Sequence, residues 1–104
     1  MNIKLLLGKR IKELRKQRKL TQENVSELIG IDTVSLSNIE TGKYYPTAEN
    51  LDKILNILKI TPHELFDFEH LDSNDNLIQK INDMLNKNPE RIKDVYKILK
   101  GFLG

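Results

Sequence analysis

The 104-residue chain has no cysteine, only two histidines, and no apolar run longer than Leu5-Leu6-Leu7. Without cysteine there is no disulfide framework, no zinc ribbon and no thiol nucleophile. The two histidines, His63 and His70, stand among Glu64, Asp67 and Glu69, but seven residues apart they lack the i, i+4 pairing of a zincin helix, so no metal site is expected. The apolar run is far below the ~18 residues of a membrane-spanning segment. It is also too short for a signal peptide, and no small-residue cleavage site follows it. The expectation is a cytoplasmic protein with no membrane partner. No glycine-rich phosphate loop and no Ser/His/Asp arrangement with supporting context occurs, so no catalytic residue, no cofactor and no enzyme activity are expected. Strand-like alternation of useful length is missing too, which points to an all-α chain. The length suits one compact domain with a small appendage.

The net charge of +2 conceals an asymmetry. Residues 1–22 hold Lys4, Lys9, Arg10, Lys12, Arg15, Lys16, Arg18 and Lys19 against the single acid Glu13, a net +7. Residues 61–76 hold Glu64, Asp67, Glu69, Asp72 and Asp75 with no Lys or Arg, a net −5. A basic cluster is either a solvated helix face or the footprint of a phosphate-binding surface. Charge alone does not choose between them; spacing must.

Helical periodicity runs through the chain. Leu7, Ile11 and Leu14 mark one face of a helix over residues 3–19. Thr21 is a good N-cap for a helix over 22–29, with Val25, Leu28 and Ile29 apolar, and Gly30 ends it. Asp32 caps a helix over 33–40 with Val34, Leu36 and Ile39 apolar. Pro46 closes a loop, because the residue before proline disfavours helix. Thr47 then opens a helix over 48–58. Thr61-Pro62-His63-Glu64 combines an N-cap, Pro at N1 and Glu at N3, a strong start signal for a fifth, short helix. Residues 67–76 are rich in Asp, Asn and Glu and read as a loose turn. Two amphipathic helices follow, over 75–87 and, capped by Asn88 with Pro89 at N1, over 89–102.

The most informative stretch runs from Gln22 to Glu40. Two short helices meet at a tight turn with Gly30 ninth from Gln22, and apolar residues fall at Val25, Leu28, Ile31, Leu36 and Ile39. That is the layout of a helix-turn-helix. Ser26, at the fifth position, is small enough for the helix crossing, and Leu36 and Ile39 anchor the second helix while its other face stays free. Together with Leu7-Gly8-Lys9-Arg10-Ile11, Leu14-Arg15, Leu20-Thr21-Gln22-Glu23, Ile39-Glu40-Thr41-Gly42, Pro46 and the helices from Leu51 to Leu65, this stretch resembles the Cro and phage-repressor type of helix-turn-helix, the xenobiotic-response-element family. The family usually has Ala where this chain has Ser26. The resemblance implies a five-helix, lambda-repressor-like bundle and a sequence-specific transcriptional regulator, a repressor binding a two-fold operator in double-stranded DNA. It implies base contacts from Thr33, Val34, Ser37 and Asn38 on the recognition helix 33–40. The set has no Arg, so strong bidentate reading of guanine is not expected, and an A·T-rich half-site core is. Phosphate contacts are expected from Gln22, Thr41, Lys43, Tyr44 and Tyr45, with Arg10 and Arg18 adding charge. Arg15 and Glu40 match an Arg and a Glu that pair beneath the recognition helix in family members.

The last 30 residues lie outside the resemblance. The expected organisation is a DNA-binding domain over 1–69, a linker over 70–76 and a dimerisation tail over 77–104. The apolar stripes there are too wide to be left in water, and Ile81, Leu85, Ile92, Val95, Leu99 and Phe102 are the expected homodimer contacts. The alternative is packing back on the same chain, or an antitoxin-like or antagonist-controlled protein whose tail binds a different protein partner.

Overall fold

The computed structural model describes residues 1–104, which form seven α-helices and no strand. The chain divides into two compact units, Met1–Leu71 and Asp72–Gly104. No helix is long and apolar enough to cross a membrane.

The first unit holds α1 (Ile3–Gln17), α2 (Gln22–Ile29), α3 (Thr33–Glu40), α4 (Ala48–Leu58) and α5 (Pro62–Leu65). Four of these are 11 residues or shorter, lengths at which an isolated helix is marginal in water. Capping and packing must hold them. Each N-terminus is closed by the side chain of the residue before it. Thr21 and Thr61 form reciprocal capping boxes with Asn24 and Glu64; Asp32 accepts from the Ser35 N–H at 2.7 Å and Thr47 from the Asn50 N–H at 3.1 Å. The Ser35 N–H also holds the exposed Asp32 carboxyl below the usual aspartate range. Each such cap contributes about 0.5–2 kcal/mol. Gly30 ends α2 at φ +91°, where a side chain would be strained.

The packing centre is one contiguous core: Leu7, Ile11 and Leu14 from α1, Val25 and Ile29 from α2, Leu36 and Ile39 from α3, Ile54 and Leu58 from α4, with Ile60 and Leu65. Leu28 departs from the sequence expectation. It is 62% exposed while its neighbour Ile29 is buried, because the inward face of α2 is set by Val25, Ser26 and Ile29. α1 and α3 touch backbone to backbone at Gly8, where an added Cβ would lie 2.7 Å from the Glu40 carbonyl oxygen.

Helix ends also differ in detail from the periodicity. α1 stops at Gln17, two residues early, because Lys19 takes a left-handed conformation at φ 57°. The expected linker 70–76 is largely structured. A 3-10 turn occupies Glu69–Leu71, and α6 (Asn74–Lys87) starts inside the stretch because the Ser73 hydroxyl accepts from the Asn76 N–H. Asn88 does not cap the last helix. Its amide donates to the Met84 carbonyl at 2.9 Å, closing α6, and a 3-10 turn over Pro89–Arg91 leads into α7 (Ile92–Leu103).

The second unit is therefore α6 and α7 joined by the 3-10 turn. None of its residues is fully buried; Leu77, Leu85 and Val95 are half-buried. Two helices alone cannot enclose a core, and an open groove remains, lined by Ile81, Met84, Leu85 and Val95 with Asn88, Glu90 and Arg91 at its rim.

The two helical glycines respond oppositely to alanine. Gly8→Ala forces α1 off α3 and is expected to cost about 1–3 kcal/mol in chemical denaturation. Gly101→Ala, with open space around its Cβ, is expected to raise α7 stability by about 0.5–1 kcal/mol.

Candidate nucleic-acid interface

α2, the turn at Gly30–Asp32 and α3 place one helix against another with its outer face in solvent. Ser26 sits buried at the crossing. Its hydroxyl donates to the Glu23 carbonyl at 3.1 Å and lies 3.5 Å from the Thr33 hydroxyl, so an OH stands where a methyl would serve and remains satisfied. Leu36 and Ile39 go into the core. Of the four expected base-contacting residues, Val34 is 69% exposed, and Thr33, Ser37 and Asn38 are half-exposed beside it. The Asn38 side chain has no partner in the protein, while the Asn38 main-chain carbonyl accepts from the Lys43 and Tyr44 N–H groups at 2.9 and 3.3 Å, folding the following loop against the end of α3.

Beneath this helix lies a buried polar network. Arg15 donates through Nε to Glu40 Oε2 at 2.7 Å and through Nη2 to Glu40 Oε1 at 3.0 Å, a bidentate pair. Its third nitrogen, Nη1, donates to the Leu20 carbonyl at 2.9 Å. The hydrogen bonds to Glu40 raise the Arg15 pKa above its ordinary value, against the burial that opposes charge. Glu40 Oε1 also accepts from Gln22 Nε2 at 3.0 Å. α1, α2 and α3 thus meet on one carboxylate, Arg15 ties the α1–α2 loop to it, and no buried side-chain polar atom in the chain is left without a partner.

The residues expected at phosphates separate into two groups. Lys43 is exposed, and Tyr44 and Tyr45 are exposed in the loop beyond α3; Arg18 is half-exposed at the end of α1. Arg10 does not fit the role. Its Nε and Nη2 both donate to the Glu64 carbonyl at 3.1 Å and its Nη1 to Glu13, so the guanidinium ties α1 to α5. Glu13 in turn meets His70 Nε2 at 2.7 Å. Burial would raise the Glu13 pKa, but the hydrogen bonds from His70 and Arg10 outweigh it and hold the carboxyl below its usual range. Thr41 is exposed, and its N–H and its hydroxyl both donate to the Ser37 carbonyl at 2.9 Å. One N–H of the Gln22 carboxamide is committed to Glu40, and its main-chain N–H, at the head of α2, stays free for an anion. That bridge was not visible in the sequence, since Gln22 and Glu40 lie eighteen residues apart and no local spacing links them.

In the second unit, Ile81, Ile92, Leu99 and Phe102 are exposed, and Leu85 and Val95 face the groove between the helices. Ile78, Met84, Tyr96, Ile98 and Leu103 add exposed apolar area that the expected contact set left out.

The family described as helix-turn-helix domain matches residues 8–70. The chain is 41% identical over 66 residues to control protein C.MunI from a Mycoplasma species, covering 62% of this chain and 89% of that one. It is 30% identical over 97 residues to the cryptic phage CTXphi transcriptional repressor RstR of Vibrio cholerae, covering 93% and 87%. Among solved structures, the restriction-modification controller protein C.AhdI from Aeromonas hydrophila superposes with a TM-score of 0.59 at 32% identity, covering 64% of this chain and all of that one. The chain therefore belongs to the helix-turn-helix family of DNA-binding transcriptional regulators.

Removing the carboxylate at the centre of the network leaves Arg15 charged and buried. Glu40→Ala is expected to lower stability by about 3–5 kcal/mol in a thermal or urea melt, against a small change for the exposed Glu49→Ala.

Proposed function

We propose that the protein is a dimeric repressor that lays α3 in the major groove of each half of a two-fold DNA site. The observation that carries this reading is the two-faced α3: Leu36, Ile39 and Glu40 are locked inside, while Val34 is exposed and Thr33, Ser37 and Asn38 are half-exposed beside it. Asn suits bidentate bonding to adenine, Thr and Ser bond several bases, and the Val34 and Thr33 methyls suit a thymine methyl. With no Arg in the set, the half-site core is A·T-rich. Lys43, Tyr44, Tyr45, Arg18 and the Gln22 main-chain N–H contact phosphates and set affinity and salt dependence rather than sequence choice. Repression is supported by the similarity to RstR across most of both chains. Its mechanism is steric: bound protein denies the site to polymerase.

Residues 1–69 are the DNA-binding domain and residues 77–104 the dimerisation tail. Support comes from the tail's unburied stripe, in which Ile81, Leu85, Ile92, Val95, Leu99 and Phe102 have no core to fill within their own unit. Covering that stripe with a second copy encloses it and doubles the number of recognition helices, with half-sites ~34 Å apart or a multiple of that.

Two measurements check the proposal. Thr33→Ala with Asn38→Ala is expected to abolish specific retardation in a gel shift, on duplexes selected from a random pool, while the melting temperature stays put; unchanged specificity removes the base-contact assignment. A chain ending at Asp72 is expected to sediment as a monomer and bind the selected duplex at least tenfold more weakly. A truncated chain that still sediments as a dimer places the interface elsewhere, and a full-length dimer whose tail still binds a hydrophobic dye points to a different protein partner.

A further inference from the structure

We infer that the Gln22 side chain is a positioning residue for sequence reading: acting through Glu40, it sets the angle at which α3 is offered to DNA. Gln22 is the first residue of α2, and Glu40 is the last residue of α3. These are the far ends of the motif. The near ends are already joined covalently by the turn at Gly30–Asp32 and packed through Ser26 and Thr33. Two helices joined only at the turn can still splay about it, because a hinge at one end leaves the other free. The 3.0 Å bond from Gln22 Nε2 to Glu40 Oε1 closes the open end.

The geometry makes the closure stiff. Glu40 cannot follow a moving Gln22, because Arg15 grips it at both oxygens and is itself gripped by the Leu20 carbonyl. The Glu40 side chain is 1% exposed, so water cannot replace the amide donor. Gln22 is thus tied to a fixed post on α1. A neutral amide is also the donor the post requires. A Lys at this position would bring a second cation to a carboxylate whose charge Arg15 already balances, and a Glu would face Glu40 with like charge.

The alternative is that the carboxamide serves the DNA backbone instead, through its second N–H or by leaving Glu40. The two roles separate by what they do to non-specific binding. A phosphate contact weakens binding to all sequences about equally, whereas an orienting contact affects only the complex in which α3 must meet base edges.

The inference rests on α3 being the reader, and the experiment treats the two separately. Full-length wild type, Gln22→Met and Asn38→Ala are titrated against a duplex selected from a random pool and against a scrambled duplex of the same composition. Met fills the same space without a donor. Gln22→Met is expected to weaken the selected duplex about tenfold and leave the scrambled duplex within twofold. Equal loss on both duplexes, or no loss on either, overturns the positioning role. If Asn38→Ala leaves the preference for the selected duplex intact, α3 is not the reader and the parent reading fails. If Asn38→Ala lowers that preference and Gln22→Met does not, only the positioning role fails. Should Gln22→Met unfold, nuclear magnetic resonance of wild type decides. The Gln22 side-chain amide proton bonded to Glu40 is expected to exchange slowly with water both free and bound to the selected duplex. Fast exchange in either state overturns the inference.

Discussion

The carboxylate of Glu40 is the constraint on which the DNA-binding unit depends. It accepts two hydrogen bonds from Arg15 and one from Gln22, and through them it joins three helices and the loop between two of them. A buried ion pair is not a cheap way to hold helices together, since stripping water from both charges can cost more than their attraction returns. An apolar pair of the same volume would pack as well. What the pair supplies is direction. Apolar side chains tolerate sliding, whereas a bidentate guanidinium–carboxylate contact is satisfied in one geometry only. A helix that reads base edges needs such a geometry, because hydrogen bonds to bases weaken steeply with angle.

The remainder of the unit makes that constraint workable. α3 has eight residues, too few to be stable alone, so its conformation comes from the Asp32 cap, from Leu36 and Ile39 in the core, and from Glu40 below. Gly8 lets the α1 backbone approach the Glu40 carbonyl closely enough for Arg15, seven residues along the same helix, to reach the carboxylate. On the outer face Val34 is exposed and the Ser37 and Asn38 side chains are half-exposed, outside the core. The second unit is built on the opposite plan, with much apolar area and nothing within its own two helices to bury it.

Much of the fold was legible in the residues. The caps at Thr21, Asp32, Thr47 and Thr61 and the stop at Gly30 are local hydrogen-bonding chemistry, and local chemistry is carried by adjacent residues. The core positions Leu7, Ile11, Leu14, Leu36 and Ile39 followed from helical spacing. The failures were of another kind. The apolar positions Val25, Leu28 and Ile29 did not say which side of the short α2 faces inward, and Leu28 is the one left exposed. Arg10 looked available to DNA because a basic side chain carries no mark of a prior partner. Its partner at Glu64 is a main-chain carbonyl, and every residue has one.

The sequence by itself determined that the chain is helical, where most of its helices begin, and that two of them form a helix-turn-helix, because these follow from periodicity and from contacts three or four residues long. Only the tertiary structure decided which polar groups are free to meet DNA. That choice depends on pairings across large sequence separations, twenty-five residues for Arg15 and Glu40, eighteen for Gln22 and Glu40, fifty-four for Arg10 and Glu64. A hydrogen-bonding group spent inside the fold is unavailable outside it, and which groups are spent is settled only when the helices have packed.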